Sequence, residues 1–103
     1  MVMLYIDPQK VTSPKHVITN LKILHNGGQD GVSIASMNWG EDEAIGIRWN
    51  VSLNEHSNPQ KVNGNEICRG MPISYSHPVL FILPSLEKYP EEVKNIMRRH
   101  LGL

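Results

Sequence analysis

Cysteine occurs once in these 103 residues, at Cys68. No disulfide can form within the chain, which suits a reducing compartment. A charge excess is also missing, because ten Lys and Arg balance ten Asp and Glu. Nonspecific nucleic-acid binders gain affinity by neutralising phosphates and need a basic surplus, so nucleic acid is not an expected partner. Long hydrophobic runs are absent. Met1 to Ile6 is apolar but lacks a basic flank and stops at Asp7-Pro8. It is too short for a signal peptide, and a bilayer span needs about 20 apolar residues. The expectation is a cytoplasmic protein that does not enter a membrane. There is no internal repeat or low-complexity segment, and the length fits one domain over residues 1–103.

What the chain does have is a clean two-residue alternation from Ala44 to Val51. In a strand, Ile45, Ile47, Trp49 and Val51 fall on one face, with Ala44, Gly46, Arg48 and Asn50 on the other. The first set is the expected core face. Val32 to Trp39 reads as the preceding strand. A tight turn between Glu41 and Asp42 would set Ile34 opposite Trp49, Met37 opposite Gly46 and Trp39 opposite Ala44. Gly46 would then lie under Met37 and Trp39.

Met1 to Ile6 reads as a first strand. Ser13 to His25 fits either a helix capped by Ser13 or a strand. The Asn26–Gly31 loop favours a strand over Leu21 to His25. Ser52 to His77 is polar, with Asn63-Gly64 as a hairpin signal. Pro78 to Pro84 encloses five apolar residues and reads as a central strand buried on both faces. Pro90 opens a helix with Val93, Ile96, Met97 and Leu101 as its apolar stripe and Gly102 as its stop. Glu91 and Glu92 at its start and Arg98, Arg99 and His100 at its end complement the helix dipole. The expected fold class is α+β, mainly an antiparallel sheet of four or five strands with a C-terminal helix packed on it.

Arg48 is the foremost polar candidate. Its guanidinium offers a fork for a carboxylate or phosphate, and Asn50 shares its face. Alternatively its stem covers apolar surface and its head pairs with Glu41, Asp42 or Glu43. Arg69 is a further binding candidate, and as a cation it could lower the pKa of Cys68. His56 and His77 bracket the long loop and could converge with Arg48 or Glu66 on a general acid–base site. They equally suit solvated loops. Ser74 to His77 sets hydroxyls beside an imidazole, but sequence neighbours seldom form a working triad. No histidine pair has the i, i+4 metal spacing and no Cys-x-x-Cys occurs, so neither metal nor cofactor is expected.

Gly46-Ile47-Arg48-Trp49-Asn50, Asn58-Pro59-Gln60, Gly70-Met71-Pro72 and Phe81-Ile82-Leu83-Pro84 resemble a group of small, functionally uncharacterised bacterial proteins. The resemblance covers Leu21 to Pro84 and includes a glycine-rich loop like Asn26-Gly27-Gly28. Ser74 to Val79 departs from it, lacking the Pro and Trp that precede the phenylalanine-bearing strand. It implies strand order and no mechanism. The leading expectation is a non-catalytic binding or interaction module for a protein or small anionic ligand, able to form a homo-oligomer. The alternative is a small phosphodiesterase- or ribonuclease-like hydrolase using Arg48 with His56 and His77.

Overall fold

The computed structural model describes residues 2–84 and 86–101, with His100 and Leu101 described by backbone alone. Three long strands, β1 (Ile18–Asn26), β2 (Val32–Trp39) and β3 (Asp42–Trp49), form a meander. A short helix α1 (Pro59–Val62) and a small hairpin, β4 (Ile73–Ser74) with β5 (His77–Pro78), follow. Strand β6 (Phe81–Pro84) and helix α2 (Glu91–Leu101) complete the chain. The main sheet is antiparallel in the order β1-β2-β3-β6. The fold is α+β. No helix among the described residues is long and apolar enough to cross a membrane.

The β2–β3 hairpin forms in a register two residues from the expected one. Trp39 pairs with Asp42, Ile34 with Ile47 and Val32 with Trp49. Gly40 takes a φ of +64° at the first turn position, where two-residue hairpin turns that match strand twist need a positive φ. A slip of two residues leaves every side chain on its face, because the strand period is two. The face memberships read from the sequence are therefore retained.

Both faces carry buried residues, Ile45 and Val51 as expected, but the larger cluster lies on the face opposite the expected one. Ala35, Met37 and Ala44 join Val11, Ile18 and Leu80 in the main buried cluster. Gly46 lies beneath Met37 and Leu80, not Met37 and Trp39: an added Cβ would come within 2.6 Å of the Met37 Cε and 3.0 Å of a Leu80 methyl. The small residues of β3 let the N-terminal segment and Leu80 approach the sheet closely. Asp7 caps a 3₁₀ turn at Pro8–Lys10 by accepting from the Gln9 amide. The Gln9 side chain then donates to the Leu21 carbonyl, tying the segment to β1. Ile34 and Ile45 are buried on the opposite face, while Trp49 there is 54% exposed. Val51 belongs to a second cluster with Met3 and Cys68.

Other expectations change as well. Of the expected first strand, Met1 lies outside the described residues and Val2 to Ile6 form no strand; Tyr5 makes a single parallel bridge to Cys68. β1 begins at Ile18, earlier than Leu21, with Ile18 paired to Trp39, and Asn20 at a φ of 55° lies in the irregular stretch where the register against β2 shifts. Asn63-Gly64 ends α1 instead of turning a hairpin, with the Asn63 amide donating to the Pro59 carbonyl and Gly64 at φ +81°. The hairpin of this region turns at Tyr75-Ser76 instead, both at positive φ. Val79 to Leu83 is not a central strand. Among the described residues β6 pairs only with β3 and leaves Phe81 59% exposed, while Leu80 alone of the run is buried. Pro84 fits such an edge position, since it has no N–H to donate to a further strand. α2 occupies its expected place, and the stop at Gly102 lies outside the described residues. Val93 and Ile96 of its apolar stripe are exposed.

Candidate functional site

The loop after β3 is held by two buried or nearly buried charges that bind backbone rather than each other. Arg48 is 3% exposed. Its Nη1 donates to the Val79 carbonyl at 2.6 Å and the Pro72 carbonyl at 3.4 Å, and its Nη2 donates to the Arg69 carbonyl. None of its observed bonds reaches the acidic turn at Glu41–Glu43. Burial lowers its pKa, and the charge of Glu55 acts in the opposite sense. The guanidinium fork thus joins three carbonyls spread over eleven residues that span the β4–β5 hairpin.

Glu55 performs the converse task, accepting from three amides. Its carboxylate takes the Ser52 N–H at 2.9 Å, the Arg69 N–H at 2.8 Å and the Gly70 N–H at 2.9 Å. Burial pushes its pKa up, but the amides of Ser52, Arg69 and Gly70 outweigh that and hold the carboxyl below its ordinary value. Lys61 lies 3.6 Å from the same carboxylate and donates to the Ile67 carbonyl at 2.6 Å. Gly70, at φ +69°, passes so close that an added Cβ would lie 2.6 Å from the Arg48 Nη2 and nearer still to the Trp49 carbonyl. Cys68 is completely buried, and burial raises its thiol pKa, followed by the Glu55 charge, against an opposing effect of Lys61. A raised pKa makes the thiol a poor nucleophile.

Asn50 is the third anchor. It accepts from the Ser33 hydroxyl at 2.6 Å and donates to the Asn26 side-chain oxygen and the Gly28 carbonyl. It thereby closes the β1–β2 loop against the end of β3. With Arg48, Asn50 and Glu55 so arranged, Met71 is brought alongside Trp49, the two residues exchanging amide–carbonyl bonds of 2.8 and 3.1 Å.

The result is an apolar platform at one end of the sheet. Val32 and Trp49 are paired, Ile47 and Phe81 are paired, and Met71 continues the row beside Trp49. Trp49, Met71 and Phe81 are each more than half exposed. A hollow of about 300 Å³ opens between Val32, Ile47, Trp49, Met71, Pro72 and Phe81. A second, of about 370 Å³, opens on the other side of Trp49 against Val51, Leu53, Met71, His56 and Asp30. A larger hollow of about 430 Å³ lies between α2 and the far end of the same face, lined by Asn20, Ser36, Asn38, Glu43, Ile45 and Arg98.

The sequence candidates are therefore dispersed. Arg48 borders the first hollow but turns its donors into the loop. Asn50 is buried in the neighbouring anchor, and the Arg69 side chain is exposed. His56 lines the second hollow, and His77 lies exposed on β5 and lines none of the three. No group of three His, Cys, Asp or Glu among the described residues is placed to hold a metal ion. Glu55, Met71 and Phe81 escaped the sequence reading. Phe81 carried a faint signal as the single phenylalanine of the chain, and Glu55 carried none. Compared with protein-family models, curated proteins and solved structures, the chain matches none.

Proposed function

We propose that the protein is a small non-catalytic binding module whose recognition surface is the apolar platform around Trp49. One observation carries this reading: a tryptophan more than half exposed between two apolar hollows. Contiguous exposed apolar surface on a folded domain marks a place of contact, and tryptophan and methionine are enriched where such contacts are strongest. Arg48, the one cation lining the two hollows, is committed to holding the loop that carries Met71, and the other charged group there is the carboxylate of Asp30. The surface accordingly suits an apolar side-chain stripe from a protein partner better than a small anion.

The test uses the apolar fluorophore 1-anilinonaphthalene-8-sulfonate on the folded chain, diluted until monomeric. Saturable fluorescence enhancement is expected, lost in Trp49→Ser and in Met71→Ser, with near-ultraviolet circular dichroism confirming intact packing. Enhancement absent from the native chain, or equal in both variants, refutes the reading.

A further inference from the structure

Two unpartnered apolar surfaces belong to one face of this sheet, at opposite ends. Even-numbered residues of β2 and odd-numbered residues of β3 share the face, since Val32 pairs with Trp49, Ile34 with Ile47 and Ser36 with Ile45. At the β2–β3 turn end, Ser36, Asn38, Glu43 and Ile45 share a hollow with Arg98, so the Arg98 side of α2 reaches towards that end. At the other end Trp49, Met71 and Phe81 are bare. The helix also leaves its own stripe open, with Ile96 52% exposed and Val93 exposed as well.

From this we infer that a second copy of the chain covers the bare end, α2 of each copy lying in the groove beside Trp49 of the other. The inference rests on reading that groove as a recognition surface, and it names the occupant. Position is the first argument. A twofold axis in the plane of the face, running across the strands, reverses the sheet end for end. It therefore places the helix of one copy over the platform of its mate, twice, in a closed isologous contact. Val93, Ile96 and Met97 supply the i, i+3, i+4 anchors of a helix laid in a groove.

Charge is the second argument. Asp30 borders the groove on the Leu53 side, and Arg69 stands two residues before Met71. Both are exposed, and neither is in an ion pair among the described residues. α2 carries Glu91-Glu92 in its first turn and Arg98-Arg99 near its end; Arg98 lies 3.8 Å from Glu91 of the same helix, and Arg99 is exposed. Laying the Arg99 end of α2 at Asp30 sets opposite charges against each other across the contact. The zero net charge of the chain imposes no overall repulsion between copies.

Shape agrees with this. The chain measures 44 × 30 × 18 Å with a radius of gyration of 14.5 Å, against about 13 Å for a compact domain of this length. A sheet face left half covered is the layer that a mate supplies.

Sedimentation equilibrium of the full chain over a concentration series is expected to show a monomer–dimer equilibrium. Trp49→Ser and Ile96→Glu should each weaken it about 30-fold or more, as loss of a central anchor does. Asp30→Lys should weaken it, and adding Arg99→Glu to the same chain should restore it; these exposed positions leave folding untouched. Copies carrying Val32→Cys mixed with copies carrying Ile96→Cys should give a mixed disulfide dimer on oxidation. A monomer at every concentration that still binds the fluorophore at Trp49 overturns the second copy and leaves the recognition surface standing. A monomer that binds no fluorophore overturns both. A dimer indifferent to Trp49→Ser and Ile96→Glu forms elsewhere and overturns this inference.

Discussion

Replacing Arg48 by methionine removes the guanidinium while keeping most of the stem's packing. The Val79 and Arg69 carbonyls lose a direct charged donor, and the Pro72 carbonyl loses a longer one at 3.4 Å. A bond from a charged donor nets about 1.5–3 kcal/mol. Two direct bonds therefore set a loss of about 3–6 kcal/mol. Water entering beside the shorter apolar tip satisfies part of the carbonyl demand, so about 3–4 kcal/mol is expected. That is a large share of the roughly 5–15 kcal/mol that holds a domain of this size. At about 5 °C per kcal/mol for such a domain, Tm should fall by about 15–20 °C. Urea unfolding followed by circular dichroism measures this directly, with the dependence on urea unchanged if only stability is altered. Arg48→Lys should lose about half as much, because one ammonium cannot fork to carbonyls on both sides of the loop. A loss below about 1 kcal/mol for Arg48→Met, or a lysine variant equal to the native chain, would refute the claim that this guanidinium holds the loop.

Further expectations concern neighbouring elements. Gly46→Ala drives a methyl into Met37 and Leu80, and overpacking of this kind should cost about 1–3 kcal/mol in urea unfolding; a neutral result would show that the Met37 tip swings clear. The depressed pKa of Glu55 contributes stability that is present above its ordinary value near 4.5 and lost as pH falls through its folded value. Acid titration of Tm should therefore drop more steeply in the native chain than in Glu55→Gln, and parallel curves would contradict this. Tyr75 and Ser76 hold φ of 49° and 66° in a two-residue turn that favours asparagine and glycine. Tyr75→Asn with Ser76→Gly should raise stability by about 1 kcal/mol or more by relieving left-handed backbone cost, measured as a higher urea midpoint.

The parts legible in the sequence were those set by local periodicity. Alternation located β2 and β3 and sorted their residues correctly into two faces, and the Pro90, Glu91 and Arg98 signals located α2. Choosing the face with the larger buried cluster was beyond periodicity, because both faces of β3 carry apolar groups. What decides is that Ala44 and Gly46 are small enough to admit Leu80 and the N-terminal segment, a tertiary fit. An isoleucine or tryptophan pattern reads alike whether it faces a core or a partner, so Trp49 looked like core. Arg48 and Asn50 stood out as polar residues in an apolar strand. The partners of Arg48 did not, since the carbonyls at 69, 72 and 79 belong to the backbone and leave no trace in side-chain identity. Asn63-Gly64 was ambiguous for a related reason: the positive φ that glycine allows serves a helix exit as well as a hairpin.

The Arg48 anchor also orders events in time. The β2–β3 hairpin closes over two residues, whereas Arg48 must capture carbonyls 21, 24 and 31 residues downstream. Closing a loop of that length costs about 3 kcal/mol of chain entropy before any of its bonds forms. The meander can therefore assemble early, and the loop docks onto it afterwards. Met71 reaches Trp49 only in that last step, so the platform is a late product of folding. A chain arrested before it would hold the three-stranded meander and yet lack the Met71 side of the platform.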